Sequence, residues 1–182
     1  MLGLVVACML AVSFIPKGEA AAVRDARGCP YSGSVPTPEN VEHVRDAILC
    51  LLNRERARGG LPALVRNREL ELASQLHSED MGARDFYEHD TPDGIDPAVR
   101  VEASGYPVIG ATVGENIHWG IESEATPVRI VKDWMKSPGH RENILRPAFT
   151  EVGVGVAHDA PETDVRGRVG VYTTDFGGRV YP

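Results

Sequence analysis

The order in which helical and strand patterns follow one another limits this chain of 182 residues to few folds. Its first half carries apolar residues at helical spacing, and its second half carries valines that alternate with small or turn-forming residues. Helices first and strands later are typical of α+β domains, in which helices pack on a small, mainly antiparallel sheet. A chain of this length makes one such domain around a single core.

Caps, prolines and apolar periodicity predict four helices. The first covers residues 38–58, and His77 lies on the inward face of the second. Short third and fourth helices follow Asp-Pro and Thr-Pro pairs, which combine a cap with a proline at the first helical position. The predicted cap residues are Thr37, Asn67, Asp96 and Thr126.

Strand patterns gather in the second half of the chain. Alternating valines over 152–156 and 169–173, with turn residues between them, predict an antiparallel hairpin. Residues 115–119 predict a further strand, which has Glu115 on one face and His118 on the other.

The amino terminus has the pattern of a secretory signal. An apolar run over residues 2–15 precedes small residues suited to cleavage, so we predict a signal peptide over 1–22. The run is too short for a membrane span, which needs about 20 apolar residues. An irregular leader over 23–36 and one domain over 37–182 follow, and the protein is expected outside the cell or in its envelope. A lipoprotein box at Cys8 is the weaker alternative.

Removing the signal peptide leaves an acidic chain with two cysteines. The net charge stays at −7, because Lys17 and Glu19 are lost together. This charge argues against nucleic acid or an anionic membrane as the main partner. In an exported protein the pair Cys29 and Cys50 predicts a disulfide. A reactive thiol is the alternative, although Cys50 lies in an apolar run that solvates a thiolate poorly.

Three polar residues beside glycines or turn signals are the candidates for a functional site: His89, Glu115 and His140. Two imidazoles and a carboxylate can bind Zn²⁺ or move protons if they converge on a cleft. In the simpler interpretation, each histidine holds a loop by hydrogen bonding. His77 fits a buried core histidine better than a ligand. The motifs of serine hydrolases, phosphate-binding loops and zinc proteases on a helix are absent from the sequence.

Short motifs follow one another in a recognisable order between about Thr37 and Gly177. They are Leu52–Arg56, Gly60–Leu64, His77–Met81, His89 with Pro92–Gly94, Gly105–Tyr106, Gly114–Ile117, Trp134–Met135, Ser137–Arg141 and Phe149–Gly155. This series resembles the bacterial branch of the CAP superfamily, which groups cysteine-rich secretory proteins, antigen 5 and pathogenesis-related 1 proteins and is also called the SCP domain.

The resemblance implies an α-β-α sandwich, export and a central cleft. In the eukaryotic branch two histidines and two glutamates of that cleft can coordinate a divalent cation. His89 matches the first histidine and Glu115 the first glutamate, but the second glutamate falls on Ser137 and the second histidine on Ala148. His140 is the candidate to replace the missing imidazole. A metal-free cleft is therefore as compatible with the resemblance as a cation site.

These observations predict a secreted monomer whose cleft binds a small apolar, lipid-like or wall-derived ligand, with no cofactor or catalysis required. The predicted cleft residues are His89, Glu115 and His140, with His77 behind them. One alternative is a hydrolase or protease that depends on a divalent cation such as zinc, with His89 and His140 as ligands and Glu115 as the base. Another is an adhesion or wall-interaction module with a vestigial cleft. Fold alone does not decide between these functions.

Overall fold

The computed structural model of the protein describes residues 28–162 and 164–179. The predicted signal peptide and the first part of the predicted leader lie outside these residues. Five helices are present in the described part of the chain: α1 Val41–Arg58, α2 Arg68–Ala83, α3 Pro97–Ala103, α4 Pro127–Trp134 and α5 Pro138–Leu145. The strands there are β1 Val65–Arg66, β2 Ala111–Ile121, β3 Glu151–Ala157 and β4 Val169–Arg179.

The four strands form one mixed sheet in the order β1-β3-β4-β2. β4 pairs antiparallel with both β3 and β2, and the short β1 adds a parallel pair with β3. The predicted hairpin of β3 and β4 and the α+β class are both confirmed. β2 is an edge strand, and its Glu115 lies directly opposite Asp175 of β4.

Helices cover both faces of the sheet, because alternate residues of each strand face different helices. On one face, valines of β3 join residues of α1, α4 and α5 in the largest core cluster. On the other face, Gly153 and Gly155 of β3 let the backbone of α2 approach the strand closely. α3 packs against α2 and β2 on this second face. The result is the expected α-β-α sandwich.

Two helix assignments differ from the sequence prediction. α1 begins at Val41 rather than at 38, because the Asn40 side chain accepts a hydrogen bond from the Thr37 backbone N–H and donates one to the Val35 carbonyl. These bonds close a turn ahead of the helix. The segment around His140, which is outside the four predicted helices, is the helix α5. Its first residue is a proline, as in α3 and α4.

The predicted disulfide is present and joins Cys29 to Cys50 of α1, with the two Cα atoms 5.9 Å apart. It ties the irregular amino-terminal segment to the first helix. Across the part of the chain that the structure describes, every helix is too short or too polar to cross a membrane.

Candidate functional site

His89 and Glu115 meet at the edge of the sheet. His89 lies in the loop between α2 and α3, and Glu115 lies in the middle of β2. The His89 Nδ1 is 2.6 Å from the Glu115 Oε1, which is the distance of a charge-assisted hydrogen bond. The Glu115 side chain is only 2% exposed, whereas that of His89 is 48% exposed. The pair therefore presents its imidazole to solvent and keeps its carboxylate inside the protein.

Arg100 completes the group from α3. Its guanidinium donates to the second carboxylate oxygen of Glu115 at 2.6 Å and to the carbonyl oxygen of His89 at 2.8 Å. The Arg100 side chain is itself 12% exposed. A buried carboxylate is stable only when it is paired and hydrogen-bonded. Arg100 thus neutralises Glu115 and holds the His89 loop against α3.

A cavity of about 390 Å³ opens beside this group, between α3 and the neighbouring strands β2 and β4. Its apolar lining comes from α3 and the start of β2, and its polar lining includes His89, Glu115 and Asp175. A second hollow of about 520 Å³ follows the loop of residues 86–92 and also includes His89. The exposed imidazole is therefore part of the lining of both.

His140 lies in the helix layer on the other side of the sheet. It belongs to α5, and its backbone carbonyl accepts a hydrogen bond from the Asn116 side chain at 3.1 Å. The side chains of Asn116 and Glu115 point to opposite faces of β2. His140, which contacts Asn116, and His89, which contacts Glu115, therefore lie on opposite sides of this edge strand. Burial lowers the pKa of His140, and the nearby His89 lowers it further. His140 is outside the lining of the 390 Å³ cavity.

His77 is buried on α2, behind the loop that carries His89. Its Nε2 donates to the Glu88 carbonyl at 3.1 Å, and its ring lies 5.9 Å from that of Phe86. Burial lowers the pKa of His77, and the charge of Glu115 opposes that shift. A neutral imidazole that supports the loop agrees with this geometry, and His77 is outside the lining of the cavity.

The donor set at this site does not suit a divalent cation. Within the described residues there is no cluster of three or more His, Cys, Asp or Glu side chains arranged to hold a metal ion. Both oxygens of Glu115 are already engaged, one by His89 and the other by the cationic Arg100. A guanidinium at this position repels a second cation. The residues present therefore do not fit a metal centre at this site.

The contact with Glu115 predicts how His89 titrates. The hydrogen bond that His89 donates to Glu115 raises the pKa of His89 above its ordinary value of 6.5. Glu115→Gln removes the charge, so the pKa of His89 should fall towards that value in an NMR titration of the imidazole protons. His118, which pairs with Asp133 on the other face of β2, should titrate as before. An unchanged His89 titration would contradict the pairing.

The raised pKa of His89 determines how the stability of the fold depends on pH. Because the pKa of His89 is raised in the folded state, the protonated imidazole stabilises the fold at pH values below the unfolded pKa. That contribution is lost as the pH rises through the folded pKa. The loss should be smaller in the Glu115→Gln variant, which urea denaturation at a series of pH values would measure.

Helices on both faces of a small mixed sheet, with a loop histidine paired to a glutamate of the edge strand, define an α-β-α sandwich of the SCP type. The chain belongs to the cysteine-rich secretory protein family, CAP, whose family model matches residues 49–175. It is also 36% identical over 118 residues to the uncharacterized protein YkwD of Bacillus subtilis (strain 168), covering 65% of this chain and 44% of YkwD.

Solved structures show the same fold. An extracellular protein containing an SCP domain from Bacillus anthracis str. Ames is 27% identical with a TM-score of 0.63, covering 80% of this chain and 44% of that one. An outer surface protein of Borrelia burgdorferi is 20% identical with the same TM-score of 0.63, covering 80% of this chain and 97% of that one. The chain thus spans less than half the length of YkwD and of the B. anthracis protein.

Two site residues were missed by the sequence reasoning, Arg100 and Asp175. Arg100 had no distinguishing signal, because an arginine on a short helix is usually solvated. Asp175 had one, because it is the only charged residue between Val169 and Gly178 of β4, and a carboxyl group is costly to bury without a partner.

Proposed function

We propose that this protein is an extracellular binding protein whose 390 Å³ cavity takes a small, hydrogen-bonding fragment of the cell wall. The observation that carries the proposal is the composition of the cavity. Pro97, Ala98 and Val101 contribute apolar lining, and His89 and Glu115 contribute polar lining. Ligand sites are typically concave and apolar with a few placed polar groups, and this volume is at the small end of their range.

The polar side of the cavity favours a wall fragment over a lipid chain. A hydrocarbon packed against the half-exposed imidazole of His89 would remove water from it without replacing the hydrogen bonds of that water, which costs free energy. Hydroxyl and amide groups, which saccharides and peptides carry, can replace those bonds. The exposed imidazole of His89 is placed to orient such a ligand. Binding of this kind needs no catalysis and no cofactor.

An extracellular location is supported by two independent observations. The disulfide between Cys29 and Cys50 is typical of proteins that mature in an oxidising environment. The B. anthracis relative at 27% identity is described as extracellular. The signal peptide over 1–22 remains a prediction from the sequence that agrees with both.

Filling the cavity tests the proposal. Ala98 of α3 lines the cavity, so Ala98→Phe should occupy its volume while keeping the hydrogen bonds of the site. In isothermal titration with lysozyme-solubilised peptidoglycan fragments, we expect wild type to bind and Ala98→Phe to bind at least about tenfold more weakly, a difference of about 1.4 kcal/mol. Ala103→Phe is the matched control, because Ala103 is exposed on the same helix and should leave affinity unchanged.

Palmitate serves as the lipid probe in the same titrations. Binding of palmitate but not of wall fragments would replace the wall ligand by a lipid. If wild type binds neither probe, the proposal is wrong and the adhesion module with a vestigial cleft becomes the better interpretation. Equal affinities of the two phenylalanine variants for wall fragments would place the binding site elsewhere on the protein.

A further inference from the structure

Asp175 is one of three carboxyl groups that line the cavity, together with Asp96 and Glu115. It is 2% exposed, lies on β4 directly opposite Glu115, and contributes to the cavity lining. Carboxylic side chains are almost never fully buried unless they are paired. Neither a cation nor a histidine of the described residues forms an ion pair with it. The position of Asp175 therefore needs an explanation beyond packing.

Ser74 of α2 fixes one side of the Asp175 carboxyl group. The Ser74 Oγ is 2.8 Å from the Asp175 Oδ2, and it accepts a hydrogen bond from the Asp175 backbone N–H at 3.0 Å. The same hydroxyl lies 2.9 Å from the Leu70 carbonyl oxygen. The Oδ1 atom forms no hydrogen bond with any protein group in residues 28–162 and 164–179. One oxygen is thus anchored, and the other is left for a group inside the cavity.

The charges around Asp175 limit what that group can be. Glu115 faces it from β2, Arg100 from α3, and the neighbouring residue on β3 is Gly153. His77 on α2 and His89 on the loop interact with Glu115. Burial and the charge of Glu115 raise the pKa of Asp175, and Arg100 and Ser74 oppose that shift only in part. Arg100 and the His89 imidazole are both paired with Glu115, and the other residues that line this cavity offer no cation to a further anion.

We propose that Asp175 is a ligand-binding residue that selects a neutral hydrogen-bonding group, an amide or a hydroxyl, and rejects a carboxylate. The inference rests on the proposed function and adds the charge class of the ligand. An anion placed beside two carboxyl groups in a desolvated site would meet repulsion that an amide does not. A site built to hydrogen-bond a neutral group rejects an analogue that leaves its buried polar atoms unpaired.

A pair of probes that differ only in charge tests this role. Lysozyme-solubilised peptidoglycan fragments are divided into two samples, and in one of them the free carboxyl groups are converted to amides. We expect wild type to bind the amidated sample about tenfold more tightly, as one hydrogen bond to a buried group can produce. Asp175→Asn keeps the shape and the neutral hydrogen-bonding group, so its affinity for the amidated sample should stay within about threefold of wild type. Asp175→Leu should lose at least about tenfold.

Ser74 provides a second, independent variant. Ser74→Ala removes the anchor of Asp175 and should weaken binding of the amidated sample by about threefold to tenfold. Ser78→Ala is the matched control, since Ser78 makes an equally buried bond of 2.8 Å from α2 to Thr173 of β4 and is not part of the cavity lining. It should change stability without changing affinity. If Asp175→Leu fails to fold, the comparison of Ser74→Ala with Ser78→Ala still tests the binding role of Asp175.

The outcomes separate the two proposals. If wild type binds neither sample, the proposed function fails and this inference fails with it. If wild type binds but Asp175→Leu or Ser74→Ala binds equally well, only the role of Asp175 is overturned. Tighter binding of the free-acid sample would likewise overturn the charge selection.

Discussion

Replacing Arg56 by leucine should lower the free energy of unfolding by about 4 kcal/mol. Arg56 is fully buried on α1. Its guanidinium donates to backbone carbonyls in the loop after α1, in the last turn of α5 and in the loop between α5 and β3. These acceptors are the carbonyl oxygens of Pro62, Ile144, Arg146 and Phe149, at 2.8 to 3.1 Å. Leucine packs the same space but leaves all four carbonyls without this donor, and each buried unsatisfied group is costly. Urea denaturation monitored by circular dichroism would measure the loss.

Arg58→Leu is the control for this prediction. It lies two residues further along the same helix, is exposed, and pairs with Glu55 at the surface. Its removal should change stability by less than about 0.5 kcal/mol. Arg56→Lys should recover less than half of the loss, because one ammonium group cannot reach acceptors that the planar guanidinium spans. Equal denaturation midpoints for the two leucine variants would contradict the role of Arg56.

The effect of Arg56 should extend to the candidate site through α5. Arg56 holds the last turn of α5, and Asn143 of that helix donates to the Glu115 carbonyl at 3.1 Å and to the Asn116 side chain at 2.9 Å. A shift of α5 would therefore move the backbone of the strand that carries Glu115. Stability and ligand affinity should fall together in the Arg56→Leu variant.

The parts of the fold that local patterns encode were predictable from the sequence. Apolar periodicity identified α1 and α2, and alternating valines identified the β3–β4 hairpin. β1 was missed because two residues give no periodic signal, and its pairing with β3 joins positions far apart in the chain. α5 was missed because Gly139 indicated a turn, although Ser137 and Pro138 carry the cap-and-proline signal used for α3 and α4.

The site was harder to predict than the fold, because its contacts depend on register. The sequence marked His89 and Glu115, and the structure places them in direct contact. Successive side chains of a strand face opposite sides of the sheet, so Glu115 faces α3 while Asn116 faces α5. His140 belongs to α5 and therefore lies in the helix layer opposite the Glu115 carboxylate. Asp175 joins the site only because β2 and β4 pair in one particular register. A shift of one residue would turn it to the opposite face.

Gly155→Ala should be among the most destabilising single-methyl additions in this protein. Gly155 lies on the face of β3 against α2, and an added Cβ would overlap the backbone carbonyl of Ser74. Backbone atoms cannot rotate away as a side chain can, so the helix must move as a unit. Overpacking typically costs about 1 to 3 kcal/mol, and we expect about 3 kcal/mol or more here. Thermal unfolding would show this as a loss of roughly 6 °C or more in Tm.

Gly139→Ala separates this packing effect from the general effect of removing a glycine. Gly139 lies in α5 with nothing near the position of an added Cβ, so alanine should leave Tm unchanged or raise it slightly. The displaced α2 in Gly155→Ala carries Ser74, the anchor of Asp175. Ligand affinity should therefore fall even at temperatures where this variant is fully folded. A Gly155→Ala variant as stable as wild type would show that α2 can move away from the sheet at little cost, and then the close approach of helix and strand could not be what positions Asp175.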